Sequence, residues 1–159
     1  MPPPTLVDLA LVDFSKVPIG IEQIRAVNAH RYEFEMLDGI YYMNAEERSA
    51  VGFKKTSMND FWVRGHIPGR PLMPGVLITE AAGQLCAYVY RTIVNKTPGV
   101  FLGFSGMNNV KFRGVVTPGE TLILIAKARE ERHKRIVCDA QGIVNDRMIF
   151  EGEIIGMPV

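Results

Sequence analysis

The chain has 159 residues, 47% of them hydrophobic and 22% charged, and a formal net charge of +1. That size suits one globular domain with a real core, because domains of about 100 to 150 residues are the commonest. A balance so near neutrality excludes an overall basic, nucleic-acid-binding character. The only two cysteines, Cys86 and Cys138, make no disulfide framework and read as small buried hydrophobes in a reducing compartment. The opening M-P-P-P-T-L-V-D-L-A lacks the basic region and long apolar run of a secretory signal. No apolar stretch approaches the roughly 20 residues that span a bilayer, so the cytoplasm is the expected location.

Residues 1–18 read as an N-terminal arm, extended or disordered at Pro2 to Pro4, with Leu6, Leu9, Leu11 and Phe14 free to pack afterwards. Residues 19–159 read as a single domain. Ile19 to Val27 has the apolar spacing of a short helix, and His30-Arg31-Tyr32 comes directly after it. No carboxylate is at hand to answer His30, so a structural role in holding its loop is expected. Phe34 to Asn44 and Ala50 to Thr56 look like hairpin strands joined through the charged A-E-E-R-S. Phe61 and Trp62 then lead into a loop, where large aromatics more often build a wall than bind a cofactor.

That loop and the helical run after it, G-H-I-P-G-R-P-L-M-P-G-V-L-I-T-E-A-A-G-Q from Gly65 to Gln84, organise the rest. Pro68, Pro71 and Pro74 fix φ and withdraw backbone donors, which holds His66 in place. Pro74 and Gly75 suit a helix entrance, and nothing breaks the helical run before Asn95. Glu80 falls inside that helix among Leu77, Ile78, Ala81, Ala82, Leu85 and Cys86, so it is expected to be buried. A buried glutamate is costly to ionise and is more often functional than decorative. Gln84 and Tyr88 stand at i+4 and i+8 from Glu80, extending one narrow polar strip. His66 and Glu80 are therefore the candidate acid and base, against the alternative of an ordinary loop histidine and a solvated glutamate.

After the helix, K-T-P-G turns at 96–99. Val100 to Ser105 and Asn109 to Phe112 read as two short strands, and T-P-G-E turns at 117–120. Thr121 to Arg129, Arg135 to Val144 and Met148 to Ile155 form a meander, with His133 as a solvated turn residue. One long helix among about six strands makes an α+β chain whose antiparallel sheet wraps the helix. No CxxC or HxxxH spacing offers a metal site, and no cofactor is expected.

The pattern G-H-x-P-G-x-P-x-M-P-G-V-L-x-x-E-A-x-x-Q resembles the signature of the bacterial (3R)-hydroxyacyl-acyl-carrier-protein dehydratases of type II fatty acid synthesis, the FabZ-like branch of the hot-dog fold. I-R-A-V-N-A-H-R-Y-E-F-E-M-L-D (24–38) and V-K-F-R-G-V-V-T-P-G-E-T-L (110–122) are similar to two further segments of that family. The resemblance implies a hot-dog fold, His66 and Glu80 as the catalytic pair, and a glutamate-type, dehydratase-only branch. It also implies a homodimer, or a trimer of dimers, in which the histidine of one subunit faces the glutamate of the other. The partner carrying the substrate would be an acidic acyl carrier protein, for which Arg64, Arg70, Lys111 and Arg113 are candidate basic contacts.

The dehydration itself needs a base at C2, an acid at the C3 hydroxyl and a donor for the thioester oxygen. His66 is the expected base, since imidazole titrates near neutrality. Desolvation of Glu80 would suit it to act as the acid. The backbone N–H of Gly75, or of Val76, at the helix start would polarise the carbonyl. Gln84 and Pro74 would support the site, and Ile67, Phe61, Trp62 and Tyr88 would line the pocket. Ile67 stands where the family has phenylalanine, Glu33 where it has proline, Glu35 and Met36 where it has an aliphatic pair, and Asn28 where it has leucine. These departures imply an altered acyl preference, and Glu33 and Glu35 are expected to be extra carboxylates near the entrance. A hot-dog thioesterase or hydratase acting on coenzyme A esters, or a non-catalytic acyl-binding subunit, are the alternatives.

Overall fold

The computed structural model describes residues 1–159. Two strands, β1 (Gly39–Asn44) and β2 (Ser49–Lys55), form the expected hairpin, and β3 (Leu102–Phe112) lies far from them. The chain then runs through β4 (Thr121–Arg132), β5 (Arg135–Val144) and β6 (Arg147–Pro158) as a meander. Its turns are made by His133–Lys134 and Asn145–Asp146, all with φ between +49 and +64, the left-handed pair whose twist matches that of the flanking strands. The result is one six-stranded antiparallel sheet in the order β1-β2-β4-β5-β6-β3.

Two helices accompany it, α1 (Ile21–Arg25) and α2 (Gly75–Val89), the second continuing into a π turn over Tyr90–Val94. Pro74 opens α2, its carbonyl accepting from the N–H groups of Leu77 and Ile78 at 2.9 and 3.1 Å. One side of α2 is apolar, and Ile78, Ala81, Ala82, Leu85 and Val89 are buried in one cluster with Leu37, Ile40, Leu122, Leu124, Ile136, Phe150 and Ile154. Each large side chain so buried contributes about 1.5–3 kcal/mol, and this is what seats the helix in the sheet. Cys86 of α2 and Cys138 of β5 are both buried and free. The neighbouring Cys138 thiol and burial together hold the Cys86 thiol well above its usual range.

Several boundaries differ from the sequence reading. The two short strands expected over Val100–Phe112 are one strand, β3, which stays paired to β6 across register shifts at Phe104/Gly106 and Asn108/Lys111. Asn109 takes φ +53 at the second shift, so the polar S-G-M-N-N segment is a bulged strand rather than a turn. The first helix is only five residues long. The strand expected from Phe34 begins at Gly39, because the preceding residues are bonded to α2 instead of to a neighbouring strand.

The N-terminal arm is not free. Gln141 of β5 is buried; its Oε1 accepts from the Leu6 N–H at 2.9 Å and its Nε2 donates to the Pro4 carbonyl at 3.0 Å. Proline lacks a backbone donor but keeps its acceptor, so a side-chain amide can hold the arm where a strand could not. Val7 and Val12 then pack on Val51, Ile125 and Ile143. Those residues alternate with core residues such as Ala50 and Leu124, which puts them on the opposite face of the sheet from α2. Leu11 and Phe14 stay largely exposed.

Candidate active site

His66 is held by its own loop. Its backbone N–H donates to the Trp62 carbonyl at 2.8 Å, and its carbonyl accepts from the Leu72 N–H at 3.1 Å. The ring atom Nδ1 lies 2.7 Å from the Leu72 carbonyl oxygen. A carbonyl can only accept, so Nδ1 carries the proton and Nε2 of the neutral ring is left as the lone-pair nitrogen. The far end of the loop is anchored by the Met73 N–H on the Val116 carbonyl at 2.8 Å. The proline-braced loop thus presents one nitrogen in one tautomer.

Glu80 is held by side chains. Its Oε1 accepts from Gln84 Nε2 at 2.9 Å and lies 3.4 Å from His30 Nε2, while Oε2 makes no hydrogen bond. Gln84 is the hub of this network. Its Nε2 also donates to the Phe34 carbonyl at 2.7 Å, its Oε1 accepts from the Met36 N–H at 3.0 Å, and its own carbonyl accepts from Asn28 Nδ2 at 3.0 Å. Gln84 thus ties the 28–36 segment to α2 at three points, through its side-chain amide at Phe34 and Met36 and through its backbone carbonyl at Asn28. Three expectations need correction here. His30 does have a carboxylate, Glu80, which the fold supplies from 50 residues away rather than from the neighbouring sequence. Glu80 is not buried within the subunit: its side chain keeps 24% of its exposure, because α2 has an open side. Tyr88 leaves the polar strip and joins the core, where burial pushes its phenol up.

The start of α2 is tightly approached. A Cβ on Gly75 would come within 3.0 Å of the Phe112 ring, and one on Gly83 within 2.6 Å of the Phe104 ring. The two glycines let β3 lay its phenylalanines against the open side of the helix. The first-turn N–H groups of Gly75 and Val76 have no partner inside the helix, and Val76 is 77% exposed. Trp62 is buried in the core, whereas Phe61 and Ile67 stand about half exposed. His66 and Glu80 make no hydrogen bond or ion pair to each other within the subunit.

The departures around the first motif also resolve. Glu35 is not a free carboxylate: Arg25 Nε and Nη2 grip its two oxygens at 2.7 and 2.9 Å, and this holds the Glu35 carboxyl below its usual range. Glu33 is exposed in the turn over Tyr32–Phe34. Arg113 is paired to Glu151 at 2.9 Å, so of the basic candidates only Arg64, Arg70 and Lys111 stand exposed without an ion pair. No group of three or more His, Cys, Asp or Glu side chains is arranged to hold a metal ion.

Residues 28–153 match the FabA-like domain family. The chain is 36% identical over 137 residues to the 3-hydroxyacyl-acyl-carrier-protein dehydratase FabZ of Syntrophobacter fumaroxidans (strain DSM 10017 / MPOB), a match that covers 86% of this chain and 92% of that protein. Among solved structures it is similar to the dehydratase heterocomplex ApeI:P from Xenorhabdus doucetiae, with 25% identity, a TM-score of 0.53, and coverage of 70% of this chain and 88% of that one. It shares its fold with a mutant thioesterase from Pseudomonas aeruginosa at 13% identity and a TM-score of 0.66, covering 89% of this chain and 95% of that one.

Proposed function

Since the chain belongs to the FabZ-like family of hot-dog dehydratases, we propose that it removes water from (3R)-hydroxyacyl thioesters on an acyl carrier protein, giving trans-2-enoyl thioesters for fatty acid or related acyl or polyketide synthesis. The observation that carries this reading is the fixed tautomer of His66, whose Nδ1–H is spent on Leu72 and whose Nε2 is free. Nε2 takes the C2 proton. Glu80, with Oε1 committed to Gln84 and His30, delivers a proton from Oε2 to the C3 hydroxyl as the C–O bond breaks, and water leaves. The imidazolium and carboxylate that remain exchange their proton through solvent before the next turnover. Charge growing on the thioester oxygen is met by the Gly75 or Val76 N–H at the positive end of α2.

His66 and Glu80 make no hydrogen bond or ion pair to each other within a subunit, and in this reading the pair is completed by a second copy. The outer edge of β3 is unpaired, and Phe101, Phe104, Met107 and Phe112 around it are each about half exposed. Such an edge is normally covered. A homodimer, assembling further into a trimer of dimers, covers it and brings His66 of each chain to Glu80 of the other. Arg64, Arg70 and Lys111 are the cations left for an acidic carrier, and the cytoplasm is where that carrier would be met. Residues 19–159 act as the catalytic domain and residues 1–18 as its arm.

The test is an assay with a 3-hydroxyacyl-carrier-protein and its coenzyme A counterpart, reading enoyl formation and free thiol together. Enoyl product without thiol, faster on the carrier protein, is expected. Thiol release would make the protein a thioesterase. Mixing His66→Ala with Glu80→Gln chains under exchange should restore part of the activity, and exchanged but inactive mixtures would place the site within one subunit.

A further inference from the structure

A cavity of about 130 Å³ lies beside the site, and its walls include Asn28, His30, Ala87, Arg91, Phe101 and Leu102. Three side-chain atoms in the chain are buried without a hydrogen-bond partner: Asn28 Oδ1, His30 Nδ1 and Arg91 Nε. All three belong to residues of this one wall. Folded proteins rarely leave buried polar atoms unpaired, and where they do the group commonly has a function. Three gathered around a single space point to something that enters it.

The cavity adjoins the catalytic groups through His30, whose Nε2 faces Glu80 Oε1 at 3.4 Å while its Nδ1 is one of the three unpaired atoms. From Glu80 it extends toward the C-terminal end of α2. Ala87 lies about 10 Å along the axis, at 1.5 Å per residue. Phe101, Leu102 and Ala87 make the rest of this wall apolar, so an aliphatic chain can approach. A cavity of about 150 Å³ is enough for a benzene-sized group, so the space here takes the last few carbons of a chain and no more.

The chemistry of the three atoms narrows the occupant. Asn28 Oδ1 only accepts, Arg91 Nε only donates, and His30 Nδ1 can do either. A methyl terminus would satisfy none of them. A carboxylate would suit Arg91 but set its lone pairs against those of Asn28. A hydroxyl donates and accepts at once. The position of Asn28 adds to this, since the related motif has leucine there, which would close the space with methyl groups. We propose that the cavity receives the far end of the acyl chain and selects chains whose end carries a hydroxyl group. This rests on the reading that the substrate is an acyl thioester.

The probes are two unreactive pantetheine thioethers of equal chain length, one ending in methyl and one in hydroxymethyl, titrated calorimetrically into the full-length protein. The hydroxyl-ended probe should bind about tenfold more tightly, the discrimination expected where a buried polar site loses its partner. Asn28→Leu should bring the ratio to about one. Equal binding to the wild type, or a ratio that survives Asn28→Leu, would overturn the proposal and leave the three atoms to be served by water. The matching 3-hydroxyacyl thioesters separate this from the activity itself. A binding preference with no dehydration of either ester supports the cavity and sinks the dehydratase reading. Dehydration of both at equal kcat/KM, with equal binding of the probes, does the reverse.

Discussion

Two apolar surfaces of this molecule have been treated differently. On the outer face of the sheet, Val51, Ile125 and Ile143 are covered by Val7 and Val12 of the arm, which Gln141 grips through Pro4 and Leu6. On the flank formed by α2 and β3, Phe104, Met107 and Phe112 stand half exposed beside an unpaired strand edge. The arm hides one surface, and the other stays bare. An exposed apolar edge is a hazard unless another molecule occupies it, and this edge borders Gly75, Gly83 and the open side of α2, where Glu80 sits. The covered surface is a stability device, and on the function proposed above the bare one serves assembly and catalysis. Substitutions on the two should therefore fail in different ways.

The largest effects belong to the proposed catalytic pair. His66→Ala and Glu80→Gln should each lower dehydration by about 10²–10⁴ while circular dichroism and melting stay as in the wild type. Either variant folded and fully active would remove the pair assignment. Next comes Phe104→Glu, which places a charge where a second copy would bury it. Unpaired buried charges cost several kcal/mol, so analytical ultracentrifugation should show monomers and activity should fall with the loss of dimer. A Phe104→Glu protein that sediments like wild type would mean that this edge is not the interface.

On the covered face the signature is reversed. Gln141→Ala strips the partners from the Leu6 N–H and the Pro4 carbonyl, at a cost of about 1–3 kcal/mol, so the melting temperature should fall with kcat/KM unchanged below the transition. A change in kcat/KM at full folding would tie the arm to the site after all. Ile67→Phe is a subtler probe of the expected pocket: it should shift chain-length preference by about 1–3 kcal/mol in relative kcat/KM, and an identical profile before and after would separate Ile67 from the pocket.

How much of this the sequence revealed depends on whether the signal was local. The His66 loop was legible because its three prolines act on their own neighbours, and the helix from Gly75 was legible because its apolar spacing is periodic. The hairpin turn at Asn145–Asp146 was legible because Asn and Asp favour turns, and that at His133–Lys134 because it falls in the charged run E-R-H-K. The role of Gln84 was not legible, since its partners Asn28, Phe34 and Met36 are reached only through the fold. For the same reason His30 looked unpaired until α2 brought Glu80 beside it. Glu80 looked buried because a greasy helix is normally covered all round, and the open side of α2 is a property of the sheet's unpaired edge. The Pro2 to Pro4 stretch looked free because a sequence without donors suggests no partner, yet the Pro4 carbonyl accepts from Gln141.

The smallest expected effect concerns Glu35, which the sequence placed as an extra carboxylate near the entrance and the fold ties to Arg25. The side-chain hydrogen bonds from Arg25 are the chief cause that holds the Glu35 carboxyl below its ordinary range. A carboxyl depressed in the folded state contributes stability above its unfolded pKa, about 4.3, and loses that contribution as pH falls through the folded value. Glu35→Gln has no proton to gain, so its melting temperature should lie below that of the wild type at neutral pH and the gap should close as the pH drops below about 4.3. A gap that is constant with pH would mean that the Arg25 contacts do not hold the Glu35 carboxylate in the folded protein.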